Sequence, residues 1–86
     1  MNSAEARELI TDVLARVLRQ EPSGLTEDTL LLEELGLDST GLLEALMELE
    51  DSAGFEADVD ELDPAIFKTV GSLTDYVSRM STRDNP

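Results

Sequence analysis

The sequence predicts an all-α domain, a small four-helix bundle with a short third helix and a long loop between helices one and two. Three observations lead there. Apolar residues recur at three- and four-residue spacing in three separate segments, proline and glycine punctuate the chain between them, and no segment shows a sustained two-residue alternation. The only stretch with any strand character is 55–59. At 86 residues the chain forms one domain, burying roughly 60 to 65% of the surface its unfolded form exposes. Hydrophobic residues make up 41% of the sequence and aromatic ones 3%, so the core is expected to consist of Leu, Ile, Val and Ala. The domain is expected over residues 1–80, with a frayed tail over 81–86.

The first helix is read from Ser3 to about Gln20, where Ala6, Leu9, Ile10, Val13, Leu14, Val17 and Leu18 form one stripe. Ser3 is the expected N-cap. Glu5 and Glu8 near the start and Arg16 and Arg19 near the end suit the helix dipole. Pro22 and Gly24 end the pattern, and leucines at 25, 30, 31, 32, 35 and 37 follow without a period. They are expected to pin a long functional loop across the bundle, with a helical turn possible over 27–31. Gly36 closes this loop. Asp38 caps a helix over Ser39–Ala53 that Gly54 terminates, with Leu42, Ala45, Leu46, Leu49 and Ala53 on its buried face. Asp63 followed by Pro64 announces a short helix through Phe67. Thr69 caps a last helix striped by Val70, Leu73, Val77 and Met80.

Absent residues exclude several chemistries. Without cysteine the chain has no disulfide, thiolate metal site or cysteine nucleophile, and without histidine it has no Ser/His triad and no side chain ordinarily titrating near neutrality. It is therefore not expected to be an enzyme. The formal charge of -14 repels nucleic acid and anionic membrane and favours basic partners. Fifteen of the 20 acidic residues fall between Arg19 and Lys68, a stretch with no basic residue. Such a block suits docking as well as solubility. The stretch 58–63 alternates oxygen ligands superficially, but Asp63 stands where a calcium loop needs glycine and Thr69 where it needs glutamate, so no metal is expected. No apolar run has the length of a membrane span, and the expected location is cytoplasmic.

Gly36-Leu37-Asp38-Ser39-Thr40 opens the acidic second helix. There, and in the order of "LGLDS", "LLEALMELED", a short third helix and "TVGSLTDYV", the chain resembles the acyl carrier and peptidyl carrier family over nearly its whole length. The resemblance implies that a phosphopantetheinyl transferase attaches 4'-phosphopantetheine, taken from coenzyme A, to Ser39, with Asp38 as the adjacent cap. Independently, a serine hydroxyl forms a stable phosphodiester, and a helix N-terminus stabilises its negative charge. The arm would supply the thiol that the chain lacks. On the local pair alone, Ser39 reads more readily as an ordinary first-turn serine behind an Asp cap.

The resemblance further implies docking of basic partner surfaces on the second helix, whose outer strips carry Thr40, Leu43, Glu44, Met47, Glu48, Glu50 and Asp51. Expected partners are an acyltransferase, an adenylating enzyme or a ketosynthase, met by a monomer. Thr40 stands where many members have a bulky apolar residue, which favours a carrier of polyketide or nonribosomal peptide biosynthesis over one of fatty-acid synthesis. Met1 and the single-domain length favour a free-standing protein. Ala45 and Ala53 permit two packings, one leaving room for an acyl chain between helices and one closed by neighbouring leucines. The rival from another class is a non-enzymatic acidic interaction module, an inhibitor or nucleic-acid mimic, which needs charge but no modified serine.

Overall fold

The computed structural model describes residues 2–81 apart from 21, 23 and 58–61. Three α-helices carry the fold: α1 (Ser3–Leu18), α2 (Ser39–Ala53) and α3 (Val70–Met80). The expected short third helix is a single 3-10 turn, Pro64–Phe67. Asp63 accepts from the Ala65 amide at 3.0 Å, and Pro64 occupies a position whose amide needs no partner. One turn leaves too few residues for a bundle helix. Among the described residues there is no strand, and 55–57 are irregular; the rest of the expected strand, 58–59, lies outside the described residues.

The cap of α1 is Asn2, one residue before the expected Ser3. A capping box needs partners three positions apart, and Asn2 meets Glu5 in both directions: the Glu5 amide donates to Asn2 Oδ1 at 2.8 Å, and the Asn2 amide donates to Glu5 Oε1 at 3.2 Å. The helix also ends earlier than Gln20, because Arg19 adopts φ 60 and ψ 31 and turns the chain. Gly54 closes α2 in nearly the same conformation, φ 74 and ψ 42, which glycine adopts without steric cost.

α1 packs against both α2 and α3, and the 3-10 turn leans on α3. Ile10, Val13 and Leu14 meet Ala45, Leu46 and Leu49 of α2 and Val70, Leu73 and Val77 of α3 in one core. The core is not purely aliphatic. Phe55 turns back into it, its ring edge-on to Tyr76 at 5.9 Å and 82°, a pairing that adds about 0.5–1.5 kcal/mol to the area buried. Thr74 is buried as well, its hydroxyl donating to the Val70 carbonyl at 2.7 Å. Ser81, expected in the frayed tail, is fully buried, and its amide donates to the Val77 carbonyl at 3.0 Å. Residues 82–86 lie outside the described set.

The long loop is held by its leucines, with Leu25 and Leu35 packed against the core, and also by backbone bonds to the start of α3. Leu31 donates to Lys68, Val70 to Thr29 and Gly71 to Glu27, at 3.1, 3.0 and 2.9 Å. Leu31 and Leu37 are buried in the core, but Leu32 is 49% exposed. Where a helical turn was possible, the loop forms a hydrogen-bonded turn from Thr26 to Thr29.

Candidate functional site

Asp38 has extended backbone and its Oδ1 accepts from the Gly41 amide at 2.7 Å, starting α2 with Ser39 as the first helical residue. Leu37, buried beneath it, ties the site to the core. A Cβ on Gly41 would meet Leu37 Cδ2 at 3.2 Å and Asp38 Oδ1 at 3.3 Å, so the cap depends on a bare backbone there. The Asp38 carboxylate is thereby turned into the helix. Ser39 is exposed, and among the described residues nothing engages its hydroxyl. With one amide answered by Asp38, others of the first turn remain available to an anion, at the positive end of the dipole.

Beside Ser39 opens an apolar groove of about 320 Å³, lined by Leu42, Leu43 and Leu46 of α2 and by Leu62, Pro64 and Phe67. The last three are residues that periodicity assigned no role at a site. They come together because the 3-10 turn is laid alongside α2, a tertiary placement without local signal. Between the two packings open to Ala45 and Ala53, Ala45 is buried among core side chains, and this groove lies on the Ser39 side of α2.

The outer residues of α2 divide by environment. Leu43 and Met47 are 53% and 66% exposed, unusual for large apolar side chains. Thr40, Glu44 and Asp51 are exposed. Glu48 faces α1 instead, with Oε1 3.4 Å from Arg16 Nη1, an exposed pair contributing about 0–1 kcal/mol. Glu50 is half-buried, and its Oε2 accepts from the Ala57 amide at 2.7 Å, tying the segment after α2 back to the helix. Met47, Glu50 and Asp51 line a second hollow of about 500 Å³ with Phe55, Glu56 and Ala57. Among the described residues no acidic group is arranged to hold a metal; 58–61 of the calcium-like stretch lie outside them.

An exposed serine at a helix start, with an apolar groove beside it, suits the covalent attachment of a group, as a carrier module requires. Comparison with known proteins agrees. Residues 8–77 match the family described as "Phosphopantetheine attachment site". The acyl carrier protein of Aster yellows witches'-broom phytoplasma is 36% identical over 72 residues, covering 84% of this chain and 92% of that protein. That of Lactobacillus acidophilus is 32% identical over 77 residues, covering 90% and 94%. That of Saccharopolyspora erythraea is 35% identical over 86 residues of alignment, covering 95% and 88%. The chain belongs to the phosphopantetheine-attachment-site family of acyl carrier proteins, which are carriers rather than enzymes, and its cofactor is 4'-phosphopantetheine.

The site fits that group. The hydroxyl is unencumbered, first-turn amides and the dipole favour the phosphate, and the apolar groove offers the arm a surface. Bound, the group supplies a thiol that carries cargo as a thioester.

Proposed function

We propose that Ser39 is the attachment residue, and that the protein is an acyl carrier holding intermediates for enzymes of polyketide or nonribosomal peptide biosynthesis. The observation that carries the attachment site is the exposed, unengaged Ser39 hydroxyl at the first position of α2, within the matched span 8–77. In the attachment step the Ser39 oxygen forms a new P–O bond, the pyrophosphate of coenzyme A breaks, and adenosine bisphosphate leaves. The hydroxyl proton passes to a base on the transferase, since this chain has no histidine. Asp38 serves as the cap that presents the serine.

Leu43 and Met47 form the apolar contact of the docking surface, with Thr40, Glu44, Glu48, Glu50 and Asp51 around it. The transferase and the acyltransferase, adenylating enzyme or ketosynthase that follow would meet this surface with basic patches. Thr40 supports the specialised pathway, and fatty-acid synthesis is the alternative within the family. We assign a monomer in the cytoplasm; the described helices include none long and apolar enough to cross a membrane.

Intact mass after incubation with a phosphopantetheinyl transferase and coenzyme A tests the site. One arm should appear on the protein and none on Ser39→Ala. Modification persisting in that variant would move the site, most directly to Thr40. An unmodified wild type with several transferases would favour the acidic interaction module. The mass of protein isolated from its natural host reads the cargo and so separates the pathways.

A further inference from the structure

The groove beside Ser39 does not end at the 3-10 turn. A second hollow, about 380 Å³, shares Leu42, Pro64 and Phe67 with it and continues to Leu32, Ala65 and Lys68. A third, about 190 Å³, shares Leu32, Phe67 and Lys68 and reaches Leu30 and Glu33. Through these shared walls an open apolar channel leads over the surface from Ser39 towards a lysine.

That lysine closes the acidic stretch that begins after Arg19, and no other basic residue occurs between Arg19 and Arg79. Its backbone is held firmly: the Lys68 carbonyl accepts from Leu31 at 3.1 Å, its amide donates to Ala65 at 3.3 Å, and Thr69 bridges to Leu30. The side chain is exposed, and among the described residues no ion pair engages it, including with Glu33 on the same rim. The formal charge of -14 disfavours an anion over most of the surface. At this end of the channel one cation stands at the mouth of an apolar surface.

On the reading that Ser39 bears the arm, we infer that Lys68 selects cargo: the channel beds an acyl group whose far end carries a carboxylate, and the Lys68 ammonium receives it. The occupant is thus a dicarboxylic acyl group, with an apolar middle against Leu42, Pro64 and Phe67. A purely aliphatic chain uses the same walls and gains nothing from Lys68. An exposed ion pair of this kind is worth a factor of about two to five.

Adipoyl- and hexanoyl-coenzyme A test this, being equal in length and different in the terminal carboxylate. Wild type, Lys68→Met and Lys68→Arg are each loaded by a transferase, attachment at Ser39 is verified by mass, and the unloaded arm serves as reference. We expect the adipoyl form of the wild type to shift the NMR signals of Lys68 and Leu32 beyond the hexanoyl form. Its thioester should resist hydroxylamine about two- to fivefold longer than the hexanoyl one. High salt and Lys68→Met should abolish the difference, and Lys68→Arg should keep it. Equal behaviour of the two cargoes, or indifference to Lys68→Met, overturns the inference while leaving the attachment site intact. A Lys68 shift already complete with the unloaded arm assigns the lysine to the arm itself and overturns it as well. Failure to load Ser39 at all is distinct, since it removes the attachment reading and the inference with it.

Discussion

Gly71 is the residue on which the loop's attachment to α3 is most sharply tested. It lies in the first turn of α3, where helix propensity alone says that Gly71→Ala should stabilise by up to about 1 kcal/mol. The structure says the reverse. An added Cβ would stand 2.9 Å from the Glu27 carbonyl oxygen and 3.0 Å from Glu27 Cβ, and the first of these is backbone, which has no rotamer by which to withdraw. The same carbonyl accepts from the Gly71 amide at 2.9 Å, so moving it weakens that bond and strains the neighbouring pairs at Thr29 and Lys68.

Overpacking of this sort costs about 1–3 kcal/mol, and one weakened backbone bond adds about 0.5–1.5 kcal/mol. Against a propensity gain of up to about 1 kcal/mol the net loss is about 0.5–3.5 kcal/mol, which at about 4–8 °C per kcal/mol lowers Tm by about 2–28 °C. Thermal and urea unfolding followed by circular dichroism reads this directly. Amide exchange at Leu31 and Val70 should quicken by more than at Ile10 in the core. A Tm equal to or above that of the wild type would show that the loop shifts freely and that propensity decides, refuting the reasoning.

Further expectations rest on other parts of the molecule. Arg19 and Gly54 close their helices in the same left-handed conformation, so Arg19→Gly should raise stability by about 0.5–1 kcal/mol, read from the urea midpoint. Like charges crowd the stretch between Arg19 and Lys68, so Tm should rise from low to moderate sodium chloride as the screening length shrinks to about 10 Å at 0.1 M; a flat response would mean the charges are already compensated. In stopped-flow binding to the transferase, Glu44→Lys and Asp51→Lys should slow association more than Glu48→Lys, whose site Arg16 already answers, and more than Glu8→Lys on α1. Met47→Ala should speed release about tenfold, equivalent to about 1.4 kcal/mol.

What the sequence revealed follows from how far each signal reaches along the chain. α2 was legible to both ends because Asp38, Gly54 and the stripe between them act over one turn or less. The end of α1 was not, since an arginine in the left-handed region carries no compositional mark. Tyr76 and Thr74 were missed on α3 because a hydroxyl makes each read as polar, although one packs a ring on Phe55 and the other returns its hydroxyl to its own helix. The pairing of 27–31 with 68–71 joins segments about forty residues apart through backbone atoms, which no side-chain pattern records. Ser39 was legible as a candidate, while the channel from it to Lys68 depends on that pairing and was not.

On the proposed docking and cargo-bedding roles, the two faces of α2 would act on different objects. Glu44 and Asp51, with Leu43 and Met47, face outward, where charge governs encounter and apolar area governs residence. Leu42 and Leu46 face the channel, where apolar walls and one lysine act on whatever the arm bears. Ser39 lies at the meeting of both surfaces. Cargo bedded in the channel is withheld from a partner, and a partner seated on Leu43, which lines the channel rim, reaches the same strip of α2. Docking and bedding thus compete at Leu43, and Leu43→Ala should weaken both, whereas Met47→Ala, outside the channel, should weaken docking alone. Thioester lifetime in the free protein and release rate from the transferase separate the two effects. If Met47→Ala shortened the lifetime as much as Leu43→Ala, the two surfaces would not be distinct.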